Sequence, residues 1–348
     1  MPARSLYFVG PRAVSVRERP VPDPDGDEVL VETSVSAVSP GTERLIYRGE
    51  APRDLSADPS IPALAGTLDY PLQYGYAAVG TVAAVGDDVG DEWLDRRVFA
   101  FNPHESHFLA DPADLHVVPD DCSSETATLL PNVETALNFV MDGRPVVGER
   151  VAVFGQGVVG LLTTALLARF PLERLVTVDT VSRRRDLSRS LGADESLTPA
   201  DARAELNPVS GRAQSADDTD VPTGIDLSYE LSGNPDALDA AIGVTGYDGR
   251  VVIGSWYGEK RSDLALGGRF HRSRIDLQSS QVSTIDPTLR GRWTPERRFA
   301  RAWDWLARVD TDPLVTHRVP LEQAPDAYHR LDTDREETVQ ILFTYGER

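Results

Sequence analysis

Residues 149–179 constrain the fold more than any other stretch, because they read as strand, glycine turn, helix and strand in immediate succession. Val151 to Phe154 form a short apolar run typical of a buried strand, and the sequence GQGVVG follows at once. The segment LLTTALLARF is long enough for a helix, and a second apolar run, Leu175 to Val178, ends at Asp179. This order predicts a dinucleotide-binding unit in which Asp179 accepts hydrogen bonds from the adenosine ribose.

Each glycine of the turn has its own predicted role. Gly155 permits a sharp turn, Gly157 leaves room for a pyrophosphate beside the backbone, and Gly160 lets the helix approach the sheet closely. The N–H groups at the start of the helix, at Val158 and Val159, would then bind phosphate. Two alternatives share part of this pattern, namely a tight turn in another kind of α/β domain and the cofactor turn of a methyltransferase.

The charge balance argues against some classes of partner. The chain has 348 residues, a net charge of -20 and a pI near 4.7, which disfavours nucleic acid and anionic membranes. Lys260 is the only lysine, and acidic residues are spread along the whole chain. This composition is typical of proteins from salt-loving organisms, because multimolar salt screens charge repulsion. A GC-rich genome would explain arginine in place of lysine, but not the excess of acid.

Cysteine usage and hydropathy indicate the compartment. Cys122 is the only cysteine, so intrachain disulfides and a thiolate zinc cluster are excluded. Neither a signal-like segment nor an apolar run of membrane length is evident, so we expect a soluble, cytoplasmic protein.

The predicted elements divide the chain into two domains. Over residues 1–132, short strands with frequent glycine and proline predict an antiparallel, barrel-like domain. Over residues 133–282, strands and helices alternate, which predicts a doubly wound parallel sheet. Residues 283–348 contain an amphipathic helix and a last strand, TVQILFTY. We interpret the polar stretch 201–223 as a solvated surface insertion.

This order resembles the medium-chain dehydrogenase/reductase superfamily, in its zinc-type alcohol dehydrogenase group, over nearly the whole chain. The resemblance rests on EVLVETSVSAVSPGTERLIYRGE, YGYAAVGTVAAVG, ERVAVFGQGVVGLL, LGADESL and THRVPLEQAPDAYHRL. It implies an α/β architecture with a GroES-like, β-rich catalytic domain, an inserted Rossmann domain and a C-terminal segment that returns to the first domain. It also implies hydride transfer between a nicotinamide cofactor and a small-molecule substrate, and a homodimer.

The chain departs from the family pattern at the zinc ligands. Pro40 stands where catalytic-zinc members have cysteine, Tyr76 where they have histidine, and Ala77 where they have the following acid. The third ligand falls near Leu130 or Pro131. Zinc needs about four N, S or O ligands, so we expect no metal and a zinc-independent enzyme. Among such members, the chain most resembles the branch related to bacteriochlorophyllide side-chain dehydrogenase, which acts on a large planar ring.

The resemblance suggests three catalytic residues. Thr42 matches the position whose hydroxyl relays a proton from the substrate oxygen. Tyr76 would be an acid or hydrogen-bond donor in the same cleft, or else a packed aromatic residue. Glu43 matches an acid that, in the zinc-containing members, contacts the zinc ligands and not the metal. Here it would orient Tyr76 or the substrate. For Thr42 and Glu43, helix capping is an alternative role that can coexist with catalysis.

The resemblance also suggests residues around the nicotinamide. Thr135 would lie beside the carboxamide, while Gly254 and Ser255 follow a strand whose backbone meets the nicotinamide. Trp256 and Tyr257 come next and would line a substrate pocket wide enough for a ring.

The same comparison bears on the choice between NAD and NADP. Arg184, five residues after Asp179, would reach the adenosine ribose. Asp179 repels a 2′-phosphate, which favours NAD. The run from Ser182 to Arg185 leaves NADP open, because arginine pairs with phosphate, although it would equally be a solvated helix start.

Several other polar residues remain open. His104 and His107 belong to the sequence HESH; contact with substrate or a surface position is favoured over a metal site. Glu134 would face the cleft or be a solvated helix residue. The other histidines are expected to have packing, structural or surface roles: His116, His271, His317 and His329.

The sequence as a whole predicts an NAD(P)-dependent oxidoreductase acting on a secondary alcohol and ketone pair. A large planar substrate fits the branch resemblance. Two alternatives stay open: reduction of an enone or quinone on the same fold, and a dinucleotide-binding protein without turnover.

Overall fold

The computed structural model describes residues 2–58, 61–64, 66–207 and 224–346. It divides the chain into unit 1, Met1–Pro131 with Trp303–Arg348, and unit 2, Asn132–Ala302. The segment 283–302, assigned above to the returning part, therefore lies in unit 2. Within the described ranges, no helix is long and apolar enough to cross a membrane.

Strands and short helices follow one another along the chain. The strands are β1 (Ala3–Gly10), β2 (Ala13–Arg19), β3 (Val29–Ala37), β4 (Ala78–Val85), β5 (Arg97–Ala100), β6 (His107–Ala110), β7 (His116–Val117), β8 (Arg150–Phe154), β9 (Arg174–Val178), β10 (Glu195–Leu197), β11 (Ile225–Glu230), β12 (Thr245–Ile253), β13 (Asp276–Ser279), β14 (Val315–Pro320) and β15 (Gln340–Thr344). The α-helices are α1 (Thr42–Arg48), α2 (Ser124–Ala127), α3 (Leu130–Gly143), α4 (Val158–Leu167), α5 (Ser182–Ser190), α6 (Pro199–Glu205), α7 (Pro235–Val244), α8 (Pro295–Leu306) and α9 (Ala324–Thr333).

Unit 1 contains the hairpin β1–β2 and a sheet with the order β14-β15-β3-β4-β5-β7, in which β6 also pairs with β3. The pairs of this sheet are antiparallel, as the sequence predicts, except that β14 and β15 run parallel. The last strand of the chain thus lies between β14 and β3, and the C-terminal segment completes the first sheet.

The core of unit 1 joins side chains that are far apart in sequence. The Tyr328 ring lies 5.1 Å from Phe8, 5.5 Å from Tyr47 and 5.9 Å from Phe343, measured between ring centroids. These aromatic rings come from β1, α1, α9 and β15, and burying them together fixes those elements. The cluster also places the Tyr328 hydroxyl within reach of α1.

Unit 2 is built on a parallel sheet with the order β10-β9-β8-β11-β12-β13. Its central strands β8, β9 and β11 are largely buried, as parallel strands between helices must be. The order reverses between β8 and β11, so the crevice for a ligand opens at the carboxyl ends of these two strands. The doubly wound sheet predicted from the sequence is confirmed.

The polar stretch 201–223 differs in part from its interpretation as an insertion. Its first residues, 201–205, belong to α6, where Thr198 accepts a hydrogen bond from the Asp201 N–H at 3.2 Å and caps the helix. Residues 208–223 lie outside the described residues.

Candidate active site and cofactor site

The three motif glycines in the turn between β8 and α4 differ in how much space surrounds them. Gly155 has φ +92°, and a Cβ there would lie 2.5 Å from the Cα of Ser232. A Cβ on Gly160 would overlap the carbonyl oxygen of Gly155. A Cβ on Gly157, in contrast, would meet nothing within 4 Å. Packing within the protein therefore requires glycine at positions 155 and 160. Gly157, in contrast, borders open space of the kind that a pyrophosphate needs.

Asp179 ties the end of β9 to this turn. Its Oδ2 accepts the N–H of Gln156 at 2.7 Å and its Oδ1 accepts the N–H of Val181 at 2.8 Å. The side chain is only 8% exposed, but each oxygen keeps further lone pairs. Arg184 is half-buried on α5. The roles of Asp179 and Arg184 toward the adenosine ribose remain predictions.

Gln156 is a structural residue that the sequence did not single out. Its side chain is fully buried, donates to the carbonyl of Gly155 at 3.2 Å and accepts from the Thr164 hydroxyl at 3.0 Å. These bonds fix the glycine turn on α4, which begins with Val158 and Val159. Because any residue can occupy this place in the motif, no local pattern could have identified it.

The segments that follow β11 and β12 are joined by hydrogen bonds. The Ser255 hydroxyl accepts the N–H of Gly233 at 2.9 Å and donates to the carbonyl of Glu230 at 3.3 Å. The Glu230 carboxylate is fully buried; it accepts the Ser232 N–H at 2.8 Å and the hydroxyl of Tyr257. Tyr257, predicted to line a substrate pocket, therefore has its hydroxyl engaged by Glu230.

The remaining residues predicted around the nicotinamide occupy varied environments. Trp256 is 38% exposed, and Thr135 is half-buried on α3. A Cβ on Gly254 would lie 2.3 Å from Phe139 Cζ and 2.6 Å from Leu231 Cδ2, so a larger residue there would have to displace these side chains. Cofactor contacts for Thr135, Gly254 and Ser255 remain predictions.

Removing the hydroxyl group should change the free energy of unfolding differently at two tyrosines of unit 2, Tyr257 and Tyr229. Tyr257→Phe leaves Oε2 of the buried Glu230 carboxylate without its tyrosine donor, while Ser232 still donates to Oε1, so the free energy of unfolding should fall by about 1–3 kcal/mol. The hydroxyl of Tyr229 is buried without a hydrogen-bond partner among the described residues. Tyr229→Phe should therefore leave that free energy unchanged or raise it. Urea denaturation of both variants measures the difference, and equal losses would contradict it.

Glu134 is neither solvated nor free to face a cleft. Arg298 donates to Glu134 Oε1 from Nε at 3.1 Å and from Nη2 at 3.0 Å, and Nη1 reaches Asn138 at 2.5 Å. Both members of the ion pair are buried. Burial raises the pKa of Glu134, and Arg298 opposes that shift. This pair joins α8 to α3 within unit 2.

In unit 1, three hydroxyl groups meet near the start of α1. The Tyr76 hydroxyl is hydrogen-bonded to Ser39 Oγ, and the Thr42 side chain lies close enough to it to lower its pKa. Burial raises the pKa of Tyr76, and the bonds to Ser39 and Thr42 oppose that shift. Gly41 precedes α1 at the N-cap position and provides no side-chain cap. Thr42 is thus available to Tyr76, and the structure brings together two of the predicted catalytic residues.

Glu43 is a fully buried carboxylate at the centre of this part of unit 1. Its Oε1 accepts the backbone N–H of Ser39 at 2.6 Å, and its Oε2 lies 3.1 Å from His104 Nε2. The Tyr328 hydroxyl donates to the same Oε2. Three donors surround a charge that would otherwise be costly to bury.

His104 is not a surface residue, and that prediction is wrong. The ring is fully buried against Gly75, which has φ +121° and where a Cβ would lie 2.8 Å from the imidazole. Its Nδ1 lies 2.7 Å from Ser36 Oγ, which lies 2.7 Å from the Tyr345 hydroxyl. With both ring nitrogens engaged inside the protein, contact with substrate is not supported either.

The other histidines have ordinary environments. His107 is half-buried beside the Ser106 hydroxyl at 2.9 Å, and burial lowers its pKa. His116 packs against Phe99, with 6.2 Å between ring centroids, as the sequence predicts. His271 and His329 are exposed and His317 is half-buried.

The residues present do not fit a catalytic zinc ion. Pro40, Leu130 and Pro131 provide no ligand, and the Tyr76 hydroxyl is bonded to Ser39. Among the residues that the structure describes, no group of three or more His, Cys, Asp or Glu side chains could hold a metal.

The sequence is similar to that of known dehydrogenases. A family model for zinc-binding dehydrogenases matches residues 158–308. The chain is 23% identical to D-guloside 3-dehydrogenase of Escherichia coli K12, over 98% of this chain and 100% of the relative. It is also 23% identical to 2-desacetyl-2-hydroxyethyl bacteriochlorophyllide A dehydrogenase of Cereibacter sphaeroides, over 98% of each chain.

Solved structures show the same fold. A short chain alcohol dehydrogenase of Escherichia coli CFT073, complexed with NADH, has a TM-score of 0.75 at 18% identity and 99% coverage of each chain. A dehydrogenase of Sinorhizobium meliloti 1021, assigned to the zinc-binding type and bound to NADP, has a TM-score of 0.75 at 18% identity, with 99% of this chain and 100% of that chain covered. The fold is that of these two dehydrogenases. The family model, the relatives and the solved structures together support a relation of the chain to the medium-chain dehydrogenase/reductase superfamily.

Proposed function

We propose that this protein is a zinc-independent, NAD(P)-dependent oxidoreductase that interconverts an alcohol and a ketone. The observation that carries the proposal is the meeting of Tyr76, Ser39 and Thr42 at the position where zinc members place a histidine ligand. Dehydrogenases among its relatives support the reaction class.

Tyr76 is the proposed proton donor for carbonyl reduction. A bound nicotinamide supplies or accepts the hydride. Because burial raises the pKa of Tyr76, its phenol stays protonated at neutral pH and can donate to the developing alkoxide. The Thr42 hydroxyl supports the phenol oxygen during this transfer. In the direction of alcohol oxidation the same oxygen must first lose its proton, so oxidation is favoured at high pH.

NAD is the proposed cofactor. Gly157 and the start of α4 suit a pyrophosphate, and the Asp179 carboxylate disfavours a 2′-phosphate. Among the structural neighbours, one holds NADH and another holds NADP, so both cofactors belong in the test. A homodimer and a salt-rich cytoplasm are further proposals, the second supported by the net charge of -20.

The experiment is a binding titration with NADH and NADPH in molar potassium chloride, followed by turnover assays over secondary alcohols, ketones, enones and quinones. The ketones include some with a large planar ring. We expect NADH to bind more tightly than NADPH and ketone reduction to proceed.

Activity should survive exhaustive treatment with a chelator, because no proposed step needs zinc. A loss of activity restored by added zinc would refute zinc independence. Turnover confined to enones or quinones would identify an alkene or quinone reductase instead. Binding without any turnover would favour the dinucleotide-binding protein.

A further inference from the structure

We propose that Ser39 is a positioning residue for Tyr76, and that the buried pair Glu43 and His104 holds Ser39 in place. The inference rests on the proposed role of Tyr76 as proton donor. It assigns a role to two residues, Ser39 and His104, that the family resemblance does not connect with the reaction.

The direction of the Ser39 bond follows from counting protons. A phenol has one proton, so Tyr76 cannot donate to a substrate and to Ser39 at once. While Tyr76 faces a carbonyl oxygen, the Ser39 hydroxyl must donate to the phenol oxygen. Ser39 therefore both aims the phenol and stabilises the charge that remains on its oxygen after proton transfer.

Glu43 fixes Ser39 through the backbone. Its Oε1 accepts the Ser39 N–H at 2.6 Å, and Ser39 is itself only 8% exposed. Since Ser39 precedes α1 and Glu43 lies in its first turn, this bond sets the entry of the chain into the helix. A shift of Ser39 would move its hydroxyl away from the Tyr76 oxygen, and misplacement by about 1 Å can cost about 10²-fold in rate.

His104 fixes Glu43 from the opposite side. A carboxylate only accepts hydrogen bonds, so the Nε2 of His104, 3.1 Å from Glu43 Oε2, must carry a proton. In the neutral ring, Nδ1 then accepts from the Ser36 hydroxyl, and the oxygen of Ser36 accepts from Tyr345. The imidazole also fills the space beside Gly75, directly before Tyr76. His104 thus contacts both the segment that carries the phenol and the carboxylate that holds Ser39.

The test is a double-mutant cycle in which the rate of ketone reduction is measured for each variant. Ser39→Ala and His104→Gln should each lower kcat about 10-fold to 100-fold, with NADH affinity unchanged. Ser39→Thr, which keeps the hydroxyl, should restore most of the rate. In the Tyr76→Phe background, Ser39→Ala should have no further effect, because there is no phenol left to position. Ser39→Ala should also move the pH dependence of alcohol oxidation upward, because it removes a bond that stabilises the phenolate.

Thr33→Val is the matched control. Thr33 lies in β3, and its buried hydroxyl has no hydrogen-bond partner among the described residues. We expect this variant to keep its activity and thermal stability.

The outcomes separate this inference from the proposed function. Full activity of Tyr76→Phe would overturn the proposed function itself. If Tyr76→Phe loses activity but Ser39→Ala does not, or if the two losses multiply in the double variant, the positioning role is refuted. An unmoved pH profile in Ser39→Ala would refute it independently, even where the double variant is too slow to measure.

Discussion

Tyr76→Phe should lower kcat for ketone reduction by about 10²–10⁴-fold, the usual contribution of a general acid, while NADH affinity and thermal stability stay close to those of the parent. The substitution removes one oxygen that is bonded to Ser39 and leaves the ring packed against Tyr74, at 6.1 Å between centroids. Steady-state kinetics with saturating NADH measures the change directly.

The pH dependence gives this prediction a second readout. Because the pKa of Tyr76 is raised, the protonated acid persists at neutral pH and the reduction rate should stay flat there. Alcohol oxidation needs the phenolate, so its rate should keep rising past pH 10, the ordinary pKa of the tyrosine side chain. In the phenylalanine variant this rise should disappear.

Tyr74→Phe is the control for that experiment. Tyr74 is buried next to Tyr76, and burial raises its pKa as well, but it has no place in the proposed proton path. Equal rate losses in the two variants would show that the site responds to any lost hydroxyl, and Tyr76 would no longer be the acid.

Gly157→Ala should weaken NADH binding by about 10-fold or more, or about 1.4 kcal/mol, without lowering the stability of the free protein. Gly157 has φ -72° and ψ -178°, which alanine adopts without strain, and its Cβ would meet no protein atom within 4 Å. The new methyl group would occupy the space that a pyrophosphate needs. Calorimetric titration and thermal unfolding measure the two effects.

Gly155→Ala provides the contrast. With φ +92° and the Cα of Ser232 at 2.5 Å from the new Cβ, this variant should lose about 2 kcal/mol or more of folding stability before any cofactor is added. Unchanged NADH affinity in Gly157→Ala would mean that the pyrophosphate does not approach this turn, which would undermine the cofactor site.

The sequence predicted the features that depend on local order. The glycine turn, its flanking strands and the alternation of strands and helices in unit 2 follow from runs of a few residues, so the parallel sheet could be recognised without a structure. The meeting of Thr42 and Tyr76 could also be anticipated, but only through the family resemblance.

The sequence could not reveal contacts between distant residues. His104 has one partner 61 positions away in Glu43, and Tyr328 reaches the same carboxylate from 285 positions away. Glu134 and Arg298 are separated by 164 positions. A histidine or glutamate in a polar stretch looks solvated when its partner is unknown, so the environments expected for His104 and Glu134 are wrong.

The division of unit 1 between the two ends of the chain has a consequence for biosynthesis. Strand β3 is translated before unit 2, whereas its neighbour β15 is translated after unit 2. The whole of Asn132–Ala302 is made in between, which takes on the order of ten seconds at ordinary translation rates. Throughout that interval the nascent first sheet has an unpaired edge and lacks Tyr328 and Phe343 from its core. The environment of Glu43 is therefore completed only after Tyr328 has been translated.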